Sequence, residues 1–338
     1  MKKIYYRQDR SKQTEQFSYK NDIINILSDN IGPEFVKYRE RLERAVHFQD
    51  ELLFPIHIDF ETIFGCNLRC IMCTHAHKDL FPSRKRLLNF ELFKQVIDEG
   101  KGYGLSSIGL DQEGEPLLVD NLLEYITYAR NNGILDVMIN SNALLLDKEK
   151  TEMLLNSGLT RVHFSLDAVK KETYDKIRIG SDFNKVVDNI LYFCKRKKEL
   201  GKELPITRVS FVKMKHNEPE LDPFVEYWTP HVDAIAIQEY NNPFPDHLEL
   251  KQLYAKNKVV NIDFKCTQPW FRMVILTDGT VLPCCLLGMS LKMALGNAND
   301  STIYELWNSS SMKNLRKLHK EGKYAQHRIC KQCAENFQ

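Results

Sequence analysis

The sequence predicts an α/β fold: a partial (β/α)6 barrel of the TIM type, followed by a small C-terminal domain. Between residues 55 and 246, six short β-prone segments alternate with amphipathic segments of helix length. This alternation is typical of a parallel sheet whose strands are joined by helices. After residue 246 the alternation stops and cysteines become frequent. Because a closed barrel of this type has eight strands, we expect an open barrel with its site at the carboxyl ends of the strands.

The predicted elements divide the chain into three parts. Residues 1–54 are polar, with a helical stretch near 34–52 and little strand signal, and we interpret them as an N-terminal extension. Residues 55–246 form the barrel, with strands at 57–64, 107–111, 136–141, 161–167, 207–214 and 234–240. The helices between them are predicted at 90–99, 122–131, 148–156, 184–200 and 219–228. Residues 247–338 form the second domain, with a hairpin at 272–282 and a helix at 303–319.

The composition limits the classes of partner. Hydrophobic residues make up 43% and charged residues 27% of the 338 residues, which is typical of a globular protein. The net charge of +2 provides no strong attraction to nucleic acid or anionic lipid. No apolar run approaches the roughly 20 residues that span a bilayer, and the basic start lacks the apolar segment of a secretory signal. We therefore expect a cytoplasmic protein with neither a nucleic-acid nor a membrane partner.

Three of the nine cysteines follow the first predicted strand, at Cys66, Cys70 and Cys73. An odd number of clustered cysteines argues against a disulfide framework and favours metal ligands. Three thiolates can hold three corners of an iron–sulfur cube and leave the fourth iron open, and an open position is typical of a catalytic metal site. The alternative is a zinc ion bound by Cys70 and Cys73 with distant ligands such as His75.

The CxxxCxxC spacing after a first strand resembles the radical S-adenosylmethionine (radical SAM) superfamily, over about residues 56–240. Members of this family bind the amino and carboxylate groups of SAM at the open iron. Reductive cleavage of SAM then gives a 5′-deoxyadenosyl radical that takes a hydrogen atom from the substrate. The resemblance implies a SAM-binding [4Fe–4S] cluster, SAM itself and an electron donor of the flavodoxin or ferredoxin type.

Short segments at the ends of later strands also resemble the family. Glu113-Gly114-Glu115 is similar to its Gly-Gly-Glu segment, with glutamate in the first place, and Ser141-Asn142-Ala143 to its Thr-Asn-Gly segment, with alanine in the last. A Ser-Leu-Asp segment ends the fourth strand, a basic residue follows it, and an apolar residue lies between the second and third cysteines. The resemblance implies SAM contacts from Met72, Gly114, Glu115, Asn142, Ser165, Asp167 and Arg178.

A second group of cysteines lies in the C-terminal domain. Cys266, Cys284, Cys330 and Cys333 can supply four thiolates to a fully ligated cluster, or to a tetrahedral zinc ion. The segment resembles the SPASM domains of radical SAM enzymes, and without the later cysteines of that pattern it is similar to the shorter "twitch" form. This form implies one auxiliary [4Fe–4S] cluster. The neighbouring Cys285 can replace Cys284, although the spacing from Gly279 favours Cys284.

The layout is similar to that of 2-deoxy-scyllo-inosamine dehydrogenase, a radical SAM enzyme with one auxiliary cluster. This similarity implies a net two-electron oxidation of a carbohydrate-like alcohol, with the auxiliary cluster as electron acceptor. Peptide modification is the alternative reaction, so the expected partner is a small molecule or a peptide. A non-catalytic iron–sulfur or zinc scaffold is the alternative of another class. His75 and Glu239 are the preferred candidates for the catalytic base, while His77, Asp111, His163 and Tyr240 also lie near strand ends.

Overall fold

A computed structural model describes residues 4–9, 14–18, 23–77, 86–244, 246–257 and 266–335. Within them one open sheet of eleven strands forms the centre of the protein. The strands are β1 Ile4–Asp9, β2 Thr14–Ser18, β3 His57–Phe60, β4 Ser107–Gly109, β5 Asp136–Ser141, β6 Arg161–Ser165, β7 Ile206–Lys213, β8 Ala234–Glu239, β9 Arg272–Ile275, β10 Thr280–Leu282 and β11 Gly296–Asn297.

The six strands predicted for the barrel are all present, as β3 to β8. They lie side by side in chain order and pair in parallel, within the overall order β1-β2-β8-β7-β6-β5-β4-β3-β9-β10-β11. The two ends of this order do not pair with each other, so the sheet stays open. The predicted α/β class and partial barrel are therefore confirmed.

The described residues also form helices, several of which pack against the sheet. They are α1 Ile23–Ile31, α2 Pro33–Val46, α3 Phe90–Tyr103, α4 Leu122–Asn131, α5 Lys148–Asn156, α6 Lys171–Ile177, α7 Phe183–Glu199, α8 Leu221–Trp228, α9 Gln268–Phe271, α10 Leu287–Ser290, α11 Ile303–Trp307, α12 Ser310–Lys320 and α13 Arg328–Glu335. Local signals set several ends: the Asn89 side chain accepts a hydrogen bond from the Glu91 amide before α3, and Gly104 ends that helix with φ of 79°. No helix in the described ranges is long and apolar enough to cross a membrane.

The two faces of the sheet differ in chemistry because successive side chains of a strand point to opposite sides. The face under the helices is apolar, and Ile58, Ile108, Val137, Val162 and Val209 are completely buried there. The opposite face bounds the inside of the partial barrel, and we call it the inner face. It carries polar side chains from several strands, which is unusual for a buried parallel sheet.

The N-terminal residues differ from the prediction of little strand structure. β1 and β2 form an antiparallel hairpin, and β2 pairs antiparallel with β8 from Glu15↔Ile237 to Ser18↔Ala234. The reason is tertiary: β8 would otherwise end the parallel sheet with unpaired backbone groups, and the hairpin covers that edge. No local sequence pattern in residues 1–54 indicates that a strand there pairs with β8.

The C-terminal part is continuous with the barrel sheet. The predicted hairpin is confirmed as β9 and β10, and β9 also pairs in parallel with β3. The helix predicted at 303–319 is divided into α11 and α12, because the Ser309 side chain caps α12 through the Met312 amide. The Glu99 carboxylate of α3 accepts hydrogen bonds from the Ile303 and Tyr304 amides at 3.0 and 2.8 Å, which fixes α11 to the barrel. The domain boundaries after residues 54 and 246 stay a prediction.

We predict that Asp136→Asn lowers the free energy of unfolding by about 3–5 kcal/mol, because it leaves a buried arginine without its partner charge. Both carboxylate oxygens of Asp136 accept hydrogen bonds from Arg161 Nε, at 2.9 and 3.0 Å, and the two side chains are 1% and 4% exposed. Urea unfolding of the reconstituted protein measures the effect. Asp175→Asn, which breaks the exposed pair with Lys171, is the matched control and should cost less than about 1 kcal/mol. Equal losses in the two variants would contradict the prediction.

Candidate active site

The loop that follows β3 brings three thiols together, and we call it the three-cysteine loop. Cys70 is buried, while Cys66 and Cys73 are half-buried. The thiol of Cys70 interacts electrostatically with those of Cys66 and Cys73. Nitrogen donors surround the sulfur atoms: the Leu68 amide lies 3.4 Å from Cys66 Sγ, and Arg178 Nη1 lies 3.7 Å from Cys70 Sγ. The structure therefore brings all three predicted ligands to one place.

The chemistry of these thiols suits a metal cluster. Burial raises the pKa of Cys66 and of Cys70, and burial together with Glu113 and Cys70 raises the pKa of Cys73 to about 12. Thiols of this kind lose their protons when a metal binds, because the metal supplies the missing positive charge. No three His, Cys, Asp or Glu side chains of the described ranges group closely enough for one ion. A cube takes its thiolates on separate irons and does not require that close spacing.

Glu115 joins the ends of two strands beside this loop. Its carboxylate accepts hydrogen bonds from the Leu117 amide (3.1 Å), the Ser141 hydroxyl (2.8 Å) and the Asn142 amide (2.8 Å). Burial raises the pKa of Glu115, although these donors oppose the shift. The Asn142 side chain continues the network, with Nδ2 at 2.8 Å from Asn67 Oδ1 and 3.8 Å from Cys66 Sγ. Glu115 and Asn142, both predicted SAM contacts, thus lie together at the three-cysteine loop.

Asp167 and Arg178 form a buried ion pair behind Cys70. The Asp167 carboxylate accepts hydrogen bonds from Arg178 Nε at 2.8 Å and from the Val212 amide at 2.7 Å. Burial disfavours the charge of Arg178, but Asp167 and the Cys70 thiol raise its pKa above the usual value. Asp167 has a left-handed backbone, with φ of 71°. Its predicted contact with SAM stays a prediction, and the geometry assigns its carboxylate first to Arg178.

The remaining predicted residues lie near this group. Ser165 is half-buried at the end of β6 and pairs in register with Ser210 of β7. Met72 is half-buried and packs against the cluster that contains Ile177, Met214 and Tyr240. The predictions that these residues contact SAM are compatible with their positions and stay predictions.

Both preferred candidates for the catalytic base already have partners. A ring nitrogen of His75 donates to the Glu113 carbonyl, and the ring packs against Phe64 at 5.5 Å between centroids. The Glu239 carboxylate lies 2.6 Å from Lys213 Nζ in a pair whose side chains are both nearly buried. The role of either residue as the catalytic base stays a prediction. In the structure, His75 connects the three-cysteine loop to Glu113, and Glu239 connects β8 to Lys213 of β7.

Residues 112–115 contact more of the protein than their sequence indicates. The Glu113 carboxylate accepts a hydrogen bond from the Thr74 hydroxyl in the three-cysteine loop. Gln112 Nε2 donates to the Cys285 carbonyl oxygen at 2.9 Å, in the C-terminal part. Gly114 approaches Ile63 so closely that a β-carbon would lie 2.0 Å from its carbonyl oxygen. Glutamate at position 113, where the Gly-Gly-Glu pattern has glycine, was the sequence signal for this segment.

The four cysteines of the C-terminal part form a second group. The Cys266 thiol interacts electrostatically with Cys333, Cys284 and Cys330, and burial raises its pKa well above the usual value. Burial and Cys284 raise the pKa of Cys330 to about 12. Cys330 and Cys333 are one turn apart on α13, which places them on the same side of the helix. The four thiols are therefore near enough to one another to interact electrostatically, and their role as ligands of one cluster stays a prediction.

Two details refine this second group. Cys285 Sγ lies 3.8 Å from Gln268 Oε1 and packs beside Val274 and Leu282, so Cys284 is the member of the pair that joins the other thiols. His319 was not predicted, and its Nε2 lies 3.4 Å from Cys330 Sγ. Burial lowers the pKa of His319 to about 4, so the ring is neutral and can donate one hydrogen bond to the sulfur.

Comparisons with known proteins define the class. The Radical SAM superfamily model matches residues 60–206, and the SPASM iron–sulfur cluster-binding domain matches residues 266–334. The chain therefore carries a radical SAM domain, followed by a SPASM-type iron–sulfur cluster-binding domain. Its cofactors are a SAM-binding [4Fe–4S] cluster, SAM and auxiliary iron–sulfur. The three-cysteine loop and the four C-terminal cysteines are the residues whose positions and chemistry fit these clusters.

Curated relatives include radical SAM enzymes named GTP 3′,8-cyclase. The protein of Alkaliphilus oremlandii is 33% identical over 126 residues, which is 37% of this chain and 39% of the relative. That of Clostridium botulinum is 30% identical over 162 residues, which is 47% of this chain and 48% of the relative. The chain thus spans less than half the length of these relatives. They support a radical SAM enzyme and leave its substrate open.

Solved structures show the same fold at low identity. BtrN in complex with AdoMet and 2-DOIA has a TM-score of 0.54 at 18% identity, covering 83% of this chain and 93% of BtrN. Streptococcus suis SuiB bound to its precursor peptide SuiA has a TM-score of 0.61 at 17% identity, covering 83% and 70%. The AdoMet-bound structure of anSMEcpe has a TM-score of 0.60 at 17% identity, covering 83% and 85%.

We predict that Gly114→Ala weakens SAM binding by roughly 10- to 100-fold, because the β-carbon would displace the Ile63 carbonyl and overpacking of this kind costs about 1–3 kcal/mol. Equilibrium binding of SAM to the reconstituted protein measures the loss. Gly102→Ala is the matched control, since no atom lies within 4 Å of its added carbon. Unchanged SAM affinity in Gly114→Ala would show that the close approach does not shape the site.

Proposed function

We propose that this radical SAM enzyme oxidises a carbohydrate-like alcohol by two electrons, with one auxiliary cluster as the electron acceptor. The observation that carries the proposal is the connection between the two cysteine groups. β9 of the C-terminal part pairs directly with β3, the strand that leads into the three-cysteine loop. Gln112, two residues before Gly114, donates to the carbonyl of Cys285, which adjoins Cys284. An electron acceptor built on the C-terminal cysteines would therefore stand at the mouth of the barrel.

The residues divide into groups with separate tasks. We propose that Cys66, Cys70 and Cys73 hold the cluster whose chemistry, with SAM, supplies a carbon radical that removes a hydrogen atom from the substrate. Arg178 offsets negative charge next to Cys70, and Glu115 holds Asn142 beside Cys66. Cys266, Cys284, Cys330 and Cys333 would hold the auxiliary cluster. A flavodoxin- or ferredoxin-type protein would supply the first electron.

Oxidation of an alcohol needs three things to leave the substrate: a hydrogen atom from carbon, a proton from oxygen and one electron. The product is a carbonyl group. A fully ligated auxiliary cluster suits the electron, because it can change its oxidation state without binding the substrate. The fold shared with BtrN, which was crystallised with AdoMet and 2-DOIA, supports a small polar substrate.

Two other radical SAM reactions are the competing candidates. Identities of 30–33% to GTP 3′,8-cyclases favour a purine nucleotide as substrate. The fold shared with SuiB, which was crystallised with a precursor peptide, favours peptide modification. A non-catalytic scaffold would have no need of the predicted SAM contacts Glu115 and Asn142 beside the three-cysteine loop. Of these functions, alcohol oxidation makes the fullest use of a four-thiol group whose domain contacts the barrel through β9 and Gln112.

We predict that the anaerobically reconstituted protein, given SAM and dithionite, converts 2-deoxy-scyllo-inosamine or a related cyclitol to a ketone. One 5′-deoxyadenosine should form for each ketone, because each oxidation consumes one hydrogen-atom abstraction. Mass spectrometry of parallel reactions with cyclitols, GTP and peptides measures the products. A cyclised nucleotide formed from GTP, with no ketone from any alcohol, would contradict the proposal.

Cysteine variants test the electron acceptor within the same assay. Cys330→Ala should keep SAM cleavage but lose most ketone formation, because one thiolate of the auxiliary group is missing. Cys285→Ala is its control, since this thiol faces Gln268 and should leave iron content and turnover unchanged. Equal turnover in Cys330→Ala and the wild type would remove the auxiliary cluster from the reaction.

A further inference from the structure

The inner face of the sheet carries rows of polar side chains, of which only Ser165 is also a predicted SAM contact. Asn140 of β5, His163 of β6 and Arg208 of β7 stand opposite one another in the register of neighbouring strands. Ser165 and Ser210 form the next row towards the carboxyl ends of the strands. Asp111 follows β4 on the same side. We call these six residues the inner-face cluster: Asp111, Asn140, His163, Ser165, Arg208 and Ser210.

Hydrogen bonds link three side chains of the cluster in a row, with each donor pointing towards Asp111. His163 Nδ1 lies 3.0 Å from Asn140 Oδ1, and Asn140 Nδ2 donates to Asp111 Oδ2. The amide oxygen of Asn140 can only accept, so His163 Nδ1 carries the hydrogen. Burial, Arg208 and Arg161 lower the pKa of His163 well below its usual value, so the ring is neutral. The chain of donors therefore ends on the Asp111 carboxylate.

Asp111 lies near a second carboxylate, Asp59, which has a cationic partner of its own. Both carboxylates face Gly109, where a β-carbon would lie 2.5 Å from Asp59 Oδ1 and 3.3 Å from Asp111 Oδ1. The Asp59 carboxylate pairs with His57 Nε2 at 2.8 Å and with Arg272 Nε at 3.3 Å. Burial and Asp59 raise the pKa of Asp111 to about 7, against the opposing effects of Asn140, Arg272 and Arg208. A carboxyl group that titrates near neutrality is suited to accept a proton.

Two buried donors in the cluster have no protein partner in the described part of the chain. Ser210 Oγ and Arg208 Nε are both inaccessible and make no hydrogen bond there, and Ser210 is only 7% exposed. A buried polar group without a partner costs about 1–3 kcal/mol. Native proteins keep such groups where a water molecule or a ligand completes them. These two atoms point to a polar ligand on the inner face.

The cluster adjoins the segment that approaches the three-cysteine loop. The Gly114 amide donates to the Asp111 carbonyl oxygen at 3.0 Å, and the Glu115 amide to the Gly65 carbonyl oxygen at 3.0 Å. Asp111 is therefore separated from the proposed SAM contacts by a single tight turn. A ligand on the inner-face cluster would lie next to the proposed site of hydrogen-atom removal.

We propose that the inner-face cluster binds the hydroxyl groups of a polyhydroxylated ring, and that Asp111 takes the proton of the hydroxyl being oxidised. The inference rests on the proposed function and assigns its substrate class and base. Arg208 and Asp111 offset each other's charge, so the cluster suits a neutral or amino-bearing polyol rather than a triphosphate. Serine, asparagine and histidine supply the neutral donors and acceptors that hydroxyl groups need.

The step balances in atoms and electrons. The substrate C–H bond breaks and its hydrogen atom passes to the adenosyl group. The O–H bond breaks and its proton passes to the Asp111 carboxylate. The remaining electron leaves to the auxiliary iron–sulfur cluster, and a C=O bond forms. Asp111 must be ionised to act, so ketone formation should fall as the pH drops below about 7.

The test compares the wild type with Asp111→Asn on 2-deoxy-scyllo-inosamine deuterated at its ring carbons. The variant should still move deuterium into 5′-deoxyadenosine, while ketone formation falls by at least about 100-fold and loses the acid limb of its pH profile. Ser210→Ala, which removes only one donor to a hydroxyl, should raise KM by roughly 10-fold and keep both kcat and the acid limb.

The outcomes separate the inference from the proposed function. A wild type that oxidises no cyclitol overturns both. A wild type that oxidises the cyclitol while Asp111→Asn matches it in rate and pH profile overturns the inference alone. Iron content and SAM binding equal to the wild type show that Asp111→Asn has folded, and a variant that fails them is replaced by Asp111→Ser, with the same expected loss.

Discussion

The close approach of Gly114 to the Ile63 carbonyl oxygen is the constraint on which the rest of the site depends. A β-carbon at position 114 would stand 2.0 Å from that oxygen, a distance that no side chain permits. Ile63 precedes the three-cysteine loop, and Gly114 precedes Glu115. The approach therefore holds the end of β4 against the loop after β3. The hydrogen bond from the Glu115 amide to the Gly65 carbonyl, at 3.0 Å, lies beside it.

A buried positive charge, that of Arg178, lies beside the three-cysteine loop. Burial raises the pKa of the three thiols of the loop, so their ionisation requires positive charge nearby. Arg178 is the protein's contribution at Cys70, and Asp167 holds it there through the 2.8 Å hydrogen bond to Nε. The iron ions of a cluster supply the rest. A similar logic applies to the four C-terminal thiols, where the neutral His319 lies beside Cys330.

Much of this could be predicted from sequence, because it is encoded locally. Six predicted strands alternate with five predicted helices, and the cysteine spacing is short. The partners of β8 and β3 could not be predicted, since β2 and β9 come from distant parts of the chain. The same holds for His319, which lies eleven residues before Cys330 and meets it only through packing. Glu113 departs from the Gly-Gly-Glu pattern, but its contact with Thr74 forms only when the two loops meet in the folded protein.

In the proposed assignment, one cluster keeps an open iron while the other is fully ligated by thiolates. Mössbauer spectroscopy of the ⁵⁷Fe-reconstituted protein, recorded with and without SAM, tests this most directly. We expect about eight irons per chain, four in each cluster, and a change in the signal of about one of them when SAM binds. The C-terminal cluster should not respond. A response from two irons, one in each cluster, or from none, would contradict the account.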